Sequence, residues 1–295
     1  MRILVTGATG TLGRALVPVL LKAGHRVRAL SRTRHEDRGG VEWVWGDLAS
    51  GKGVAEAVRQ VEAVAHLATG GRQGRAQVDL AGTRTLTAAA RAAGAAHLLL
   101  PSIAGADRAP GHRHKLEAER LVRESGMAWT VVRATPFHQS VDRLLRDLAA
   151  LPVLPVDRSL LWQPVHVDDV AARLAALLAG GPACAVVEYG GPQVLGTEEL
   201  TRTWLDARRL RRLCLPVRIP GRLAAAQRAG AFTVEADPKG RITWHDYLFP
   251  PPPVPSDDFA EEHTASPTSP ATQPERDPSV RVYGGDEGYQ RPTRG

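Results

Sequence analysis

The sequence has few cysteines and no long apolar segment. Only Cys184 and Cys214 occur in 295 residues, and each stands alone inside an apolar run. Isolated thiols of this kind do not build a disulfide framework or a metal site, so we expect both to be buried in the core of a protein from a reducing compartment. No stretch has the length and apolarity of a membrane span, and Thr6 and Gly7 interrupt any hydrophobic signal region. These absences predict a cytoplasmic location and no membrane partner.

Lysine and aromatic residues are also scarce, although the chain is basic. The net charge is +7, while aromatic residues make up 5% of the sequence. The arginines are scattered along predicted helices and are not gathered with aromatic side chains. This distribution favours a solvated basic surface and an anionic dinucleotide ligand over a nucleic-acid patch. No recognisable metal-ligand spacing and no internal repeat is present.

A glycine motif lies at the start of the chain. Residues 3–5 form a short apolar run typical of a buried strand, and residues 11–21 then have helical apolar spacing. Gly7 and Gly10 lie between the strand and the helix, and Gly13 lies within the helix, so that the three glycines are spaced at intervals of three residues. The first lets the chain turn, the second lets backbone approach a phosphate, and the third lets the helix pack on the strand. The helix N-terminus offers free N–H groups, so the motif predicts a pyrophosphate site.

Strands and helices then alternate through the first half of the chain. Further strands are predicted at 26–30, 41–45, 61–67, 97–101 and 129–134, with helices at 11–21, 49–60, 79–93 and 115–124. This alternation predicts an α/β fold with a doubly wound parallel sheet. Ligands bind such sheets at the carboxyl ends of the strands.

Residues at these strand ends indicate which dinucleotide binds. Ser31, Arg32 and Arg34 follow the second strand, where an acid would bind a ribose 2′-OH and an arginine would accept a 2′-phosphate. The acid is missing, so the sequence predicts NADP(H). Asp47 is placed to hydrogen-bond an adenine amine, to cap the following helix, or both.

Eight motifs in order carry a family resemblance: TGATGTLG, SR, GDL, HLAT, PSIAG, HKLEAE, RATPFH and QPVHVDDVA. With them the chain resembles atypical short-chain dehydrogenases/reductases, and it is most similar to the NmrA-like NAD(P)-binding branch. The resemblance implies a Rossmann domain at 1–137, a smaller substrate-side part at 138–249 whose residues 163–190 return to the Rossmann core, and two kinds of activity. Some members reduce small molecules, whereas others only sense the cofactor.

The resemblance also implies a set of cofactor and substrate contacts. Matching the motifs gives cofactor contacts at Gly7, Thr9, Gly10, Thr11, Leu12, Gly13, Ser31, Arg32, Arg34, Asp47, Leu48, Leu67, Ala68, Thr69, Ser102, Lys115, Pro136 and Phe137. It gives a substrate wall at Phe137, His138 and Trp162.

The usual proton donor of this family is absent. Ser102 and Lys115 match the family's catalytic serine and lysine, but Gly111 stands where the tyrosine belongs. His112, His114 and His138 are candidate replacements because imidazole titrates near neutral pH. The alternative is that His112 and His114 are solvated residues at a helix start and that His138 is a pocket-wall residue. For catalysis the sequence favours His112 as the donor. The sequence therefore predicts an NADPH-dependent oxidoreductase on a small carbonyl, quinone or isomerisable substrate, with a non-catalytic NADP(H) sensor as the alternative.

The end of the chain has a different composition. Residues 250–295 are rich in Pro, Ser, Thr, Asp and Glu and contain almost no aliphatic side chains. Such a segment cannot bury enough apolar surface to offset its ordering entropy, so we expect it to be disordered.

Overall fold

The central sheet has seven parallel strands. The computed structural model describes residues 1–37, 39–70 and 77–250, apart from the side chains of Gln77 and Val78. The strand order is β3-β2-β1-β4-β5-β6-β9. The strands are β1 Arg2–Thr6, β2 Arg26–Ser31, β3 Val41–Trp45, β4 Ala63–His66, β5 His97–Ile103, β6 Trp129–Ala134 and β9 Ala185–Tyr189. The predicted doubly wound parallel sheet is confirmed.

Helices cover both faces of this sheet. They are α1 Thr11–Lys22, α2 Val54–Ala57, a π-helical segment Gln77–Gly82 that continues into α3 Thr83–Ala92, α4 Arg113–Arg123 and α6 Val167–Ala179. On one face the apolar stripes of α1 and α6, such as Leu16 and Leu174, pack on the sheet. On the other face α2, α3 and α4 contribute Val54, Leu86 and Val122. The five inner strands are therefore largely buried on both sides, which explains their continuous apolar runs, whereas the edge strands β3 and β9 are partly exposed.

The remaining elements form the substrate-side part. They are α5 His138–Ala149, β7 Leu154–Val156, β8 Leu161–Trp162, β10 Leu195–Gly196, α7 Thr197–Ala207, β11 Cys214–Pro216, α8 Arg222–Arg228 and α9 Trp244–Leu248. A third core joins α5, α7 and α9. In the structure β9 pairs with β6, and α6 packs beside α1. The division into a Rossmann domain at 1–137 and a substrate-side part at 138–249, with 163–190 assigned to the Rossmann core, stays a prediction.

Several predicted elements have different limits. The helix expected at 49–60 is only Val54–Ala57, since Asp47 accepts from Gly51 N–H and donates to the Lys52 carbonyl in a tight turn. The fifth strand runs to Ile103 and so includes Ser102. Two short strands, β7 and β8, occupy the segment after α5. Thr197 is the first residue of α7, and its hydroxyl donates to the Leu160 carbonyl.

The prediction that both cysteines are buried is wrong. Cys184 and Cys214 are exposed. Cys184 precedes the edge strand β9 and Cys214 lies in β11 of a two-stranded sheet, so the apolar runs around them belong to edges rather than to central strands.

The tail expected to be disordered lies outside the described residues, apart from Pro250. Within the described ranges no helix is long and apolar enough to cross a bilayer.

Candidate functional site

The glycine turn joins β1 to α1 at the carboxyl edge of the sheet. Gly7 has a φ of +70°, and a Cβ there would lie 2.7 Å from Ala68 N. A Cβ on Gly13 would lie 2.3 Å from the Gly7 carbonyl oxygen. These two glycines therefore allow β1, β4 and α1 to approach one another, as the sequence predicts for the first and third positions.

The N-terminus of α1 is open. Thr9, Gly10 and Thr11 are exposed, whereas Leu12 and Gly13 are buried. Gly10, the N-cap residue, provides no side-chain hydrogen bond, and the first turn contains no acid. The first N–H groups and the positive end of the helix dipole thus face an uncovered surface. This arrangement fits a dinucleotide pyrophosphate.

Two arginines lie beyond the end of β2. Arg32 and Arg34 are both exposed, and the Arg32 carbonyl accepts from Trp45 Nε1 at 3.1 Å. Ser31 accepts from Thr33 N–H at 3.1 Å and lies 3.1 Å from His35 Nε2. The loop is therefore attached to β3 while its guanidinium groups extend into solvent, as a 2′-phosphate contact requires.

Asp47 follows β3 and holds a turn. Its Oδ1 accepts from Ala49 N–H at 3.1 Å. Hydrogen bonds from Ser50 and Ala49, assisted by the charge of Arg32, lower the pKa of Asp47. The adjacent Leu48 is buried. The carboxylate thus stays ionised within a turn that replaces the expected helix start, and its contact with adenine stays a prediction.

A buried hydrogen-bond chain lies under the end of β4. Thr83 donates to the Asp79 carbonyl at 2.7 Å, so its oxygen accepts from His66 Nε2 at 3.0 Å. His66 Nδ1, 2.8 Å from the Thr6 hydroxyl, then accepts from it, and the Thr6 oxygen accepts from Ala68 N–H. Burial, and then the Lys115 ammonium, lower the pKa of His66 to about 4. The neutral ring therefore fixes β1, β4 and the π-helical segment relative to one another.

A buried carboxylate holds Lys115 at the same edge. Lys115 Nζ lies 3.1 Å from Asp79 Oδ2 and donates to Thr69 at 3.2 Å. Asp79 also accepts from Gly70 N–H at 3.1 Å and from the Thr69 hydroxyl at 3.2 Å. His114 Nε2 lies 3.7 Å from Asp79 Oδ2. One carboxylate thus orients the end of β4, a lysine and a histidine.

The position expected to hold a proton donor has a backbone that suits glycine. Gly111 has a φ of +95°, which L side chains rarely adopt, and the space around a Cβ there is open. Next to it, the ring of His112 lies 5.6 Å from that of Phe232 in an edge-to-face arrangement. A tyrosine at position 111 would therefore strain the backbone rather than lack room.

Ser102 lies in a buried ion network. It donates to Glu119, whose carboxylate accepts from Arg133 Nη2 at 2.8 Å and Nε at 3.1 Å. Arg133 also bonds to Asp107 at 2.6 Å. These hydrogen bonds, first those with Glu119, raise the pKa of Arg133. The Ser102 hydroxyl proton is thus directed at Glu119, and orienting a substrate oxygen would require that bond to break.

The three expected wall residues lie in different packing environments. Phe137 pairs with Val165 and packs against the core shared by α1 and α6. Trp162 packs on the third core and donates to Thr197 at 2.9 Å. His138 is fully buried, and neither ring nitrogen makes a hydrogen bond of ordinary geometry with a described residue. The described residues do not show these side chains forming one wall.

Aromatic rings surround His138. The ring centroids of His166, Trp244 and Tyr247 lie 5.6, 5.5 and 5.1 Å from the centroid of His138. The centroid of Tyr247 also lies 5.8 Å from that of His166 and 5.5 Å from that of Trp244. Burial, and then the neighbouring His166, lower the pKa of His138 to about 4. The buried Asp142 accepts from Tyr247 at 3.4 Å and from Trp204 at 2.7 Å, which ties this cluster to α7.

The sequence reasoning missed the acids that organise the edge. Asp79 and Glu119 lie inside stretches interpreted only as helices, and neither was assigned a role. The spacing of Asp79 from Thr83, one helical turn, is a signal in hindsight, because it brings both side chains to the end of β4. No local pattern marks Glu119 as the partner of Ser102.

Several known proteins are similar to this chain in sequence. The family described as NAD(P)H-binding matches residues 7–179. An uncharacterized protein of Mycobacterium tuberculosis is 32% identical over 207 residues, covering 68% of this chain and 22% of that protein. A 3-diazoavenalumate denitrifying reductase of Streptomyces is 32% identical over 234 residues, covering 65% of this chain and 77% of the relative. The chain thus spans about a fifth of the length of the first of these relatives.

A solved structure shares the fold. An NADPH-dependent quinone oxidoreductase of Escherichia coli, complexed with NADPH, superposes with a TM-score of 0.72 at 18% identity, covering 84% of this chain and 98% of its own. At this identity the likeness concerns the fold alone. The family match, the glycine turn and the parallel sheet agree, and the chain therefore belongs to the NAD(P)H-binding family.

Proposed function

We propose that the protein is an NADPH-dependent oxidoreductase of the NmrA-like branch that acts on a small carbonyl, quinone or isomerisable substrate. The observation that carries this proposal is the fixed Lys115 ammonium, 3.1 Å from Asp79 and 3.2 Å from Thr69 at the edge where such sheets bind ligands. The Streptomyces relative is named a reductase, and the Escherichia coli neighbour an NADPH-dependent quinone oxidoreductase. Both names support reduction as the reaction class.

The cofactor would lie along the carboxyl ends of β1 to β6. The contacts proposed from the motifs are kept, from the glycine turn through Ser31, Asp47 and Thr69 to Pro136 and Phe137. When bound, the reduced nicotinamide supplies a hydride. Arg32 and Arg34 would hold the 2′-phosphate through charge-assisted hydrogen bonds, which favours NADPH over NADH.

The site residues would divide the remaining work. Lys115 would donate hydrogen bonds to ribose hydroxyls, since Asp79 and Thr69 already fix its direction. Of the two histidines at the start of α4, His114 shares the Asp79 carboxylate with Lys115, whereas His112 packs near Phe232. A proton donor must lie within reach of the reacting group, and the Asp79 carboxylate holds His114 at the edge where such sheets bind ligands. We therefore propose His114 as the proton donor, with the sequence-favoured His112 as the residue to compare.

The test is NADPH oxidation, followed at the nicotinamide absorbance with a panel of quinones and carbonyl compounds. We expect His114→Phe to lower carbonyl turnover by about 10²–10⁴-fold, the usual contribution of a general acid, while NADPH affinity is unchanged. His112→Phe is the matched control and should keep turnover. Loss of turnover in His112→Phe alone would return the donor role to His112.

A non-catalytic NADP(H) sensor is the second candidate. Gly111 in place of the phenol and a Lys115 charge neutralised by Asp79 favour it. The sensor predicts that no member of the panel oxidises bound NADPH, and that NADPH and NADP⁺ give different limited-proteolysis patterns. Turnover of any panel compound that responds to His114→Phe would exclude this candidate.

A further inference from the structure

The segment 208–223, which follows α7 and ends with the first two residues of α8, is basic and aliphatic. It contains six arginines, no acidic residue and no aromatic residue. Of its sixteen residues, all except Val217 are exposed. We call it the arginine-leucine segment.

Most of its positive charge is uncompensated. Arg208 pairs with Asp142 at 2.9 Å. The other five arginines form no ion pair with any residue in the described ranges: Arg209, Arg211, Arg212, Arg218 and Arg222. A group of unpaired cations this dense creates a local positive potential, which attracts a polyanion.

The leucines of the segment extend away from the protein. Strand β11 pairs in parallel with β7, and Cys214 and Pro216 contact a small cavity shared with Thr201 and Leu205 of α7. Because alternate strand residues face opposite sides, Leu213 and Leu215 take the outer face. They are 69% and 52% exposed. Leu210, Ile219 and Leu223 are also exposed large apolar side chains.

Hydrogen bonds fix the backbone of the segment, and the leucines therefore stay exposed instead of rotating into the core. The Leu213 carbonyl accepts from Leu154 N–H at 2.9 Å, and Val217 N–H donates to the Val156 carbonyl at 3.1 Å. Ile219 N–H donates to Asp157 at 2.8 Å, and Arg228 donates to the same carboxylate at 2.6 Å. Aliphatic side chains fixed outward among cations form a surface that is stabilised when something both apolar and anionic covers it.

We propose that the arginine-leucine segment docks the protein on an anionic phospholipid bilayer. The arginines would contact headgroup phosphates, and the leucines would enter the boundary with the acyl chains.

A nucleic acid fits this surface less well, because the segment has no aromatic side chain for base stacking and because leucine makes no favourable contact with a phosphate. A second copy is less well matched because symmetric pairing would place arginines against arginines. The sequence analysis expects no membrane partner because the chain lacks a membrane-spanning segment. Binding to a bilayer surface needs no such segment, so that argument does not exclude the proposal.

The experiment is co-sedimentation of the full chain with vesicles. One vesicle is phosphatidylcholine alone, and in the other phosphatidylglycerol replaces about a third of it. We expect binding to the anionic vesicle only, weakening as salt is raised. Arg211→Glu with Arg212→Glu should weaken it at least 25-fold, since each arginine near an anionic surface contributes roughly fivefold.

Two further variants separate the contributions. Leu213→Ser with Leu215→Ser should also weaken binding, because the apolar insertion is lost. Arg26→Glu with Arg84→Glu is the matched control: it removes the same charge from exposed Rossmann positions and should bind like the parent. Unchanged NADPH affinity and melting temperature in all variants show that they are folded, and they keep this test independent of the proposed reaction.

Three results would overturn the proposal. They are equal binding to both vesicles, parent-like binding of both segment variants, and a segment-dependent dimer in light scattering that does not bind vesicles. If anionic-vesicle binding is absent but duplex DNA binds and depends on Arg211 and Arg212, the surface belongs to a nucleic acid instead.

Discussion

Asp79 is the single residue on which most of the candidate site depends. It accepts from Gly70, Thr69 and Lys115, and its side chain is 1% exposed. Removing one partner of a buried ion pair leaves an uncompensated charge, whereas removing both does not. We expect Asp79→Asn to reduce the free energy of unfolding by about 2–3 kcal/mol, as measured in urea. The double variant with Lys115→Met should lose less than the sum of the single losses, and strict additivity would show that the two groups do not interact.

Ser102 can be tested for a structural against a catalytic role. Its hydroxyl donates to Glu119, which is also held by Arg133. Since a hydrogen bond to a charged group contributes about 1.5–3 kcal/mol, Ser102→Ala should lower stability by about 1.5 kcal/mol, the smaller value because Arg133 remains. If this contact is its whole role, turnover per folded molecule stays within a few-fold of the parent. A large loss of turnover at unchanged stability would assign Ser102 the catalytic role that the sequence suggests.

Arg32 is the residue that tests cofactor choice. Losing a charge-assisted contact to a 2′-phosphate should cost about 1.5–3 kcal/mol, roughly ten- to a hundredfold in affinity. We therefore expect Arg32→Ala to weaken NADPH binding and spare NADH binding in calorimetry. Arg26→Ala, exposed at the other end of β2, is the control. Equal affinity of the parent protein for the two cofactors would contradict the assignment.

At the scale of elements, the β1-turn-α1 unit separates two uses of glycine. A Cβ on Gly13 would lie 2.3 Å from the Gly7 oxygen and 2.6 Å from the Ala8 Cα, whereas a Cβ on exposed Gly10 would lie 3.2 Å from the Gly7 oxygen. We expect Gly13→Ala to destabilise the protein by about 3 kcal/mol, because backbone must move. Gly10→Ala should leave the melting temperature almost unchanged and weaken NADPH binding. The reverse order of melting temperatures would show that α1 does not pack as described.

At the scale of the whole molecule, buried histidines set the response to mild acid. Burial, assisted by Lys115 and His166 respectively, lowers the pKa of His66 and of His138 from the ordinary value to about 4. Between roughly pH 6.5 and 4.5 the unfolded chain therefore binds protons that the folded protein does not, and the free energy of unfolding falls as pH falls. Each histidine should contribute about 1.4 kcal/mol per pH unit within this window.

Variants identify the source of that slope. His138→Phe should reduce this slope by one histidine's contribution, because neither ring nitrogen of His138 has a well-formed partner among the described residues. His245→Gln, a substitution at an exposed position, is the matched control. Urea unfolding at several pH values measures both, and a parent protein whose stability is flat across the window would refute the linkage.

The sequence by itself determined the α/β class, six strands of the parallel sheet, the glycine turn and the family, whereas the seventh strand, β9, was found only in the structure. These features depend on patterns between near neighbours: apolar runs of strand length, glycines three residues apart, and helices of similar length between strands. Each pattern arises from the local requirements of backbone geometry and burial, so it can be recognised without knowledge of distant contacts.

Only the tertiary structure decided what the side chains meet. It exposed Cys184 and Cys214 by placing them at sheet edges, directed the Ser102 hydroxyl to Glu119, and brought Asp79 to Lys115 from another element. It also turned Leu213 and Leu215 outward beside unpaired arginines. Partners 17 or more residues apart are chosen by how whole elements pack, which depends on the summed surfaces of many residues rather than on any local pattern.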